Sequence, residues 1–271
     1  MKFKQKAVLF VLTLVLALGL SVTALAASTL DKVKSSGVLV AGVKFDAPPF
    51  GYINEKGEAV GFDIDVARYI ADKLGVRLEL KQVTSKTRIP MLQEGQVDML
   101  VATMTHQRGR DEAIDFSITY FFADQRLLVR KGSGIKSVDD LVGKTVATVQ
   151  GSTSEVNIRK AQPRANVLTF QEYPQAFLAV QQGRAQAMTT DASILVGFAG
   201  PNPDYEIVGP SIAPEPYGIG MRENDSKFRD AINFAIMDMW LDGDYHKVYD
   251  RWFGPDSGYY LPMTGEIEVW P

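Results

Sequence analysis

Thr103, Thr105 and Arg110 fall in one short segment, Thr103-Met104-Thr105-His106-Gln107-Arg108-Gly109-Arg110, and that combination can hold a carboxylate. A guanidinium grips both oxygens in a fork, while hydroxyl and backbone N–H groups fill the remaining lone pairs. The same letters also suit a surface turn in which Asp111 and Glu112 balance the arginine. The segment Gln150-Gly151-Ser152-Thr153-Ser154-Glu155 offers a second place for an anion, because free N–H groups at a helix N-terminus attract negative charge. A capping box from Ser152 to Glu155 also explains it. In Thr189-Thr190-Asp191 the carboxylate can receive an ammonium group or cap a helix beginning at Ala192. Lys44, in Gly42-Val43-Lys44-Phe45-Asp46, is either a solvated charge or a cation facing a ligand. Arg88 is harder to dismiss. Pro90 suits the first turn of a helix, so Arg88 stands at a helix N-terminus, where the dipole disfavours a cation by roughly 0.3–1 kcal/mol. Together these residues make one anion clamp (Thr103, Thr105, Arg110), one ammonium acceptor (Asp191) and a second cationic pair (Lys44, Arg88). A zwitterion with an additional carboxylate, an acidic amino acid, satisfies the whole set.

Open α/β sheets bind ligands beyond the carboxyl ends of their strands, and these groups follow or flank strand-like runs. Such runs are Leu39 to Val43, Arg77 to Val83, Val97 to Val101, Arg126 to Val129, Thr145 to Val149, Ala185 to Met188 and Gly218 to Met221. Between them the pattern is helical: Phe62 to Leu74, with apolar residues at 62, 66, 67, 70, 71 and 74, then Val138 to Leu141, Thr153 to Lys160, Tyr173 to Gln182, and Asp225 to Trp240 with a continuation through Trp252. The alternation predicts an α/β architecture with largely parallel sheets. Phe116 to Phe122 and the proline-rich Pro210 to Tyr217 look like crossings between two lobes. The expected division is residues 27–121 with 218–271 as one lobe and 122–217 as a lobe inserted into it, the two crossings forming a hinge.

The chain has no cysteine and only two histidines, His106 and His246. Disulfides, a lipid-modified N-terminal cysteine, a zinc site and a His-based nucleophilic triad therefore lack material, and no metal or cofactor is expected. Lys2, Lys4 and Lys6 precede an apolar run from Ala7 to about Val22 and then Ala24-Leu25-Ala26. That reads as a secretory signal peptide over residues 1–26, cleaved near Ala26. Without its lysines the net charge falls from −3 to −6, and no Lys/Arg block remains to suggest a nucleic-acid partner. A freely diffusing periplasmic protein, monomeric and without a lipid anchor, is the expectation. About 245 residues after cleavage exceed one small core and again predict two lobes.

With these residues in view the chain resembles the periplasmic solute-binding proteins of the polar amino-acid class (family 3), the extracytoplasmic receptors of ABC importers. The resemblance runs over nearly all of the chain after residue 26. It rests on Gly61-Phe62-Asp63-Ile64-Asp65-Val66-Ala67, Gly95-Gln96-Val97-Asp98, the Thr103 to Arg110 loop, Asp115-Phe116-Ser117, Asp139-Asp140-Leu141-Val142-Gly143-Lys144, Gln150-Gly151-Ser152-Thr153 and Gly183-Arg184-Ala185. Within the class it is most similar to glutamate/aspartate-binding members, through Lys44 and the segment Thr84-Ser85-Lys86-Thr87-Arg88. The resemblance implies a type II periplasmic-binding-protein fold, each lobe a mostly parallel sheet flanked by helices, closing about a two-strand hinge. It further implies that Arg110, Thr105 and Thr153 hold the α-carboxylate, and Asp191 and Thr103 the α-ammonium. Lys44 and Arg88, with Ser85 and Tyr173, would hold the distal carboxylate of L-glutamate or L-aspartate. Thr103 stands where serine is common, which narrows the pocket. The implied partners are the membrane permease subunits of an ABC importer.

Three other readings compete. Glutamine or asparagine could occupy the same pocket, a neutral amide replacing the distal carboxylate. A cyclohexadienyl dehydratase-like enzyme would need a general acid in the cleft, for which only Glu155 and Glu172 suggest themselves; no enzymatic activity is expected. A sensor feeding a membrane receptor would have to act indirectly.

Overall fold

Residues 28–271 are described in the computed structural model; the expected signal peptide lies outside the described residues. Ser28 accepts a hydrogen bond from Leu30 N to open helix α1 (Thr29–Ser36), and Gly37 ends it in the left-handed conformation, φ 68°. The apolar run that follows is β1 (Val38–Val43). It pairs in parallel with β5 (Arg77–Gln82) on one side and with the short β6 (Met99–Leu100) on the other. Between β1 and β5 the chain makes a small antiparallel sheet, β2 (Asp46–Ala47), β3 (Gly51–Ile53) and β4 (Ala59–Val60), which two- and three-residue strands left invisible to periodicity. Helix α2 (Phe62–Lys73) buries Phe62, Val66, Ala67, Ile70 and Ala71, the face its spacing predicts, and also Asp63. Two short helices follow, α3 (Arg88–Gln93) and α4 (Arg108–Asp111).

Two long antiparallel strands then cross the molecule, β7 (Asp115–Arg130) and β11 (Tyr205–Met221). The chain between them supplies β8 (Thr145–Val149), β9 (Asn166–Phe170) and β10 (Ala187–Asp191), with helices α5 (Thr153–Ala161), α6 (Tyr173–Gln181) and α7 (Ala192–Ala199). The last helices, α8 (Ser226–Leu241) and α9 (Asp244–Phe253), return to the first half. Strand order is β5-β1-β6-β11-β7-β10-β8-β9, so β7 and β11 lie side by side in the middle and each serves both halves. Their register shifts between Val208 and Ala213 and again between Tyr217 and Gly218. This is the two-lobed arrangement, with the predicted crossings inside the two long strands.

Each lobe's own strands, β5-β1-β6 and β10-β8-β9, are parallel as expected, and the crossing strands add the antiparallel pairs β6–β11, β11–β7 and β7–β10. Several element bounds are corrected. The strand expected at Ala185 to Met188 begins at Ala187 and runs to Asp191, because β-branched Thr189 and Thr190 pack as buried strand residues against β7. Val97 to Val101 narrows to Met99–Leu100. The helix expected to continue from Trp240 through Trp252 breaks at Gly243, φ 75°.

An aromatic cluster sits beneath the cleft and ties α2, β7, β11 and α9 together. Phe62 stacks on Tyr120 with centroids 6.4 Å apart, and Phe121 stacks on Tyr217 at 5.6 Å. The lobes touch: a Cβ on Gly197 of α7 would collide with the Pro48 carbonyl, and one on Gly151 would come within 3.0 Å of Lys86 Cα. Only glycine permits so close an approach of backbones.

Candidate functional site

The residues expected to act together converge where the lobes meet. Lys44 follows β1 and is fully buried; Gly51 makes room for this turn, since a Cβ there would strike the Lys44 carbonyl. The Lys44 ammonium lies 3.2 Å from Asp46 Oδ1, donates to Ser85 Oγ at 3.2 Å and sits 4.8 Å from the centre of the Tyr173 ring. Asp46 Oδ2 accepts from Tyr173 N, 3.1 Å, at the start of α6 in the other lobe. One carboxylate therefore neutralises Lys44 and spans the cleft. Burial lowers the Lys44 pKa, and Asp46 opposes that shift.

Arg88 is the first residue of α3, as Pro90 implied, and is buried. Its Nη1 donates to the Ala102 and Thr103 carbonyls at 2.6 and 3.2 Å, while Nε has no partner among the described residues. Thr103 adopts a left-handed backbone, φ 46°, which costs a β-branched residue free energy. It is held from both sides, by Arg88 at its carbonyl and by Asp63 Oδ2, which accepts from Thr103 N at 2.8 Å. The Thr103 hydroxyl donates to the Ala102 carbonyl at 2.8 Å, and no hydrogen bond joins it to Asp191 among the described residues. Half of the arginine fork thus serves loop geometry, which explains a cation at an unfavourable helix end.

Arg110 is nine-tenths buried on α4, with Nη1 donating to the Thr105 carbonyl at 2.7 Å. Burial, aided by the charge of Arg88, pushes it down to about 9, so it stays cationic at neutral pH. The alternative reading of this segment, a surface turn balanced by Asp111, is not what forms: residues Arg108–Asp111 are helical and Asp111 bonds to His106 at 2.9 Å. Ser152 does cap α5, accepting from Glu155 N at 3.2 Å, so the hydroxyl of Thr153, the first helical residue, is not needed for the cap and bonds to Glu215 instead. The capping reading of this segment is therefore observed.

Asp191 lies at the N-cap position of α7 but makes no capping hydrogen bond. Its Oδ2 accepts from the Tyr217 hydroxyl, and the buried Oδ1 has no partner among the described residues. Burial raises its pKa well above the usual carboxylate range, with Glu215 adding to the shift. An unpartnered buried carboxylate oxygen is costly, and a bound cationic group would remove the cost. Of the two glutamates considered as acids, Glu155 pairs with Arg159 along α5 at 3.2 Å, and Glu172 makes no capping bond at the start of α6.

Sequence reasoning missed Asp46, Asp63, Tyr120, Glu215 and Tyr217. Glu215, between Pro214 and Pro216, accepts from the Thr105 hydroxyl, from the Thr153 hydroxyl at 2.8 Å and from Asn157 Nδ2 at 3.0 Å. Asp63 also accepts from the Tyr120 hydroxyl at 2.8 Å. Burial raises Asp63 to about 7 despite both hydrogen bonds. Its folded pKa lies above its unfolded value of 3.8, so the folded state binds the extra proton and this group's contribution to stability falls as pH rises from about 4 to about 7. Asp63→Asn should remove that slope, up to about 1.4 kcal/mol per pH unit. Denaturant unfolding of parent and variant at pH 5 and 7 checks it; parallel curves would show that Asp63 does not titrate there.

Three comparisons bear on this geometry. The ABC transporter glutamine-binding protein GlnH of Bacillus subtilis is 46% identical over 233 residues, 84% of this chain and 85% of that protein. The L-glutamate/L-aspartate-binding protein of Pseudomonas aeruginosa is 33% identical, covering 89% of this chain and 86% of its own length. An ancestral arginine-binding protein solved bound to glutamine superposes with a TM-score of 0.78 at 41% identity, over 80% of this chain and 98% of that one. These relatives are binding proteins, and residues 39–255 match the bacterial extracellular solute-binding proteins, family 3. A two-lobed α/β chain whose buried charges converge on the contact between its lobes thus belongs to the family 3 bacterial extracellular solute-binding proteins.

Proposed function

We propose that the chain is the substrate-binding component of an amino-acid ABC importer and that its ligand is a neutral polar amino acid with the chemistry of glutamine. The observation that carries this reading is the Lys44–Asp46 pair. The lysine expected to meet a distal carboxylate already has a carboxylate of its own, and together the two offer a donor and an acceptor, the complement of an amide. The 46% identity to a glutamine-binding protein supports the same choice. A second reading keeps glutamate or aspartate, favoured by the unpartnered Arg88 Nε and by the relative at 33% identity.

In this reading Arg110 takes the α-carboxylate and Asp191 the α-ammonium, while Lys44, Asp46, Ser85 and Tyr173 face the side chain. The lobes, 27–121 with 218–271 and 122–217, close about the crossings in β7 and β11. The exported protein works outside the cytoplasm with the importer's permease subunits. Calorimetric titration with glutamine, asparagine, glutamate and aspartate decides between the ligands: glutamine should bind about tenfold or more tighter than glutamate, about 1.4 kcal/mol. Tighter glutamate binding would return the acidic reading. Small-angle scattering should show a smaller radius of gyration with saturating glutamine, because binding favours the closed state only through contacts to both lobes. An unchanged radius with binding confirmed in the same sample would argue against closure.

A further inference from the structure

We infer that Glu215 is a positioning residue that latches the two lobes together, and that it takes the hydroxyl protons of Thr105 and Thr153 which the family resemblance assigned to the ligand. The residue is almost wholly buried, and its place is fixed by the backbone: it pairs with Ala123 in the β7–β11 ladder between two prolines, whose rings restrict φ. Its Oε2 accepts from Thr105, in the loop after β6, and from Thr153, at the start of α5, at 2.8 Å for the latter. Oε1 accepts from Asn157 Nδ2 at 3.0 Å. Donors from both lobes therefore converge on one carboxylate carried by a crossing strand.

Proton counting gives the consequence. A threonine hydroxyl has one proton to donate, and with Glu215 ionised both protons point at it. The two hydroxyl oxygens lie 3.4 Å apart, so they meet at the latch. A ligand carboxylate is then left to the Arg110 guanidinium and backbone N–H groups, and Thr105 and Thr153 contribute by biasing the lobes toward approach, which the ligand then completes. Such pre-organisation strengthens binding by reducing what must be ordered on association, and it acts mainly on release. The inference stands on the lobe geometry and does not depend on which amino acid binds.

The chain has no cysteine, so cysteines introduced at exposed Lys56 and Lys160, one in each lobe, carry a donor and an acceptor dye. In the ligand-free protein, Glu215→Ala should lower transfer efficiency relative to the parent. It should also speed L-glutamine release by about tenfold or more, since all three hydrogen bonds to the carboxylate are lost and one charge-assisted bond alone is worth about tenfold. Glu215→Gln, which can still accept but carries no charge, should fall between the two. If Glu215→Ala does not fold, Glu215→Gln alone decides by the same ligand-free comparison. Efficiency and release unchanged from the parent would overturn the latch. If glutamine fails to bind the parent, the proposed ligand is wrong, while the ligand-free shift still tests Glu215.

Discussion

Asp191→Ala and Arg110→Ala should each weaken every amino-acid ligand by about two to four decades, since removing one partner of a desolvated charge pair costs roughly 3–5 kcal/mol. The expectation rests on what each side chain leaves undone. Asp191 Oδ1 is buried with no partner among the described residues, although the Tyr217 hydroxyl serves Oδ2 and the residue stands where it could have capped α7. Arg110 spends one nitrogen on the Thr105 carbonyl and has no carboxylate paired within the fold among the described residues. Both would meet groups that every α-amino acid shares, so the loss should not depend on the side chain of the ligand. Calorimetry with glutamine and glutamate measures it, and circular dichroism confirms that the variants remain folded. Near-parent affinity in either variant would put the ligand somewhere else.

The cations of the cleft were legible in the sequence to different degrees, since Lys44 and Arg110 each had an ordinary surface reading, as a solvated charge and as a turn balanced by Asp111 and Glu112. Arg88 at the start of α3 is the clearest case, although its observed work, donating to the Ala102 and Thr103 carbonyls, depends on a loop brought to it by the fold. The carboxylates were not legible. Asp46 is two residues from Lys44, a separation that in an extended strand puts side chains on one face, but the short β2 hid that relation. Asp63 and Asp65 look alike within α2, yet Asp63 is buried beneath Thr103 whereas Asp65 pairs with Arg68 and Arg251 near the surface. Glu215 had a weak signal: a charge between two prolines in a crossing strand is held at one orientation, and a held charge needs partners. Thr105 and Thr153 are separated by 48 residues, and no local pattern could show that they share an acceptor.

Asp46→Asn should move the preference toward acidic ligands. The asparagine carbonyl can still accept from Tyr173 N, so the bond to α6 survives, but Lys44 loses its internal counter-charge. A buried ammonium without a partner is unfavourable, and the distal carboxylate of glutamate would restore the pair through a charge-assisted hydrogen bond of roughly 1.5–3 kcal/mol. Glutamate should therefore gain about one to two decades relative to glutamine. Because two ligands are compared in one variant, any general weakening of the fold cancels in the ratio. Arg88→Ala is the contrasting case: its Nη1 holds the 102–103 carbonyls, so its loss should loosen the left-handed Thr103 turn and weaken both ligands alike. If Arg88→Ala selectively costs glutamate while Asp46→Asn leaves the ratio untouched, then Arg88 and not Lys44 reads the end of the ligand side chain, and the acidic reading replaces the amide one.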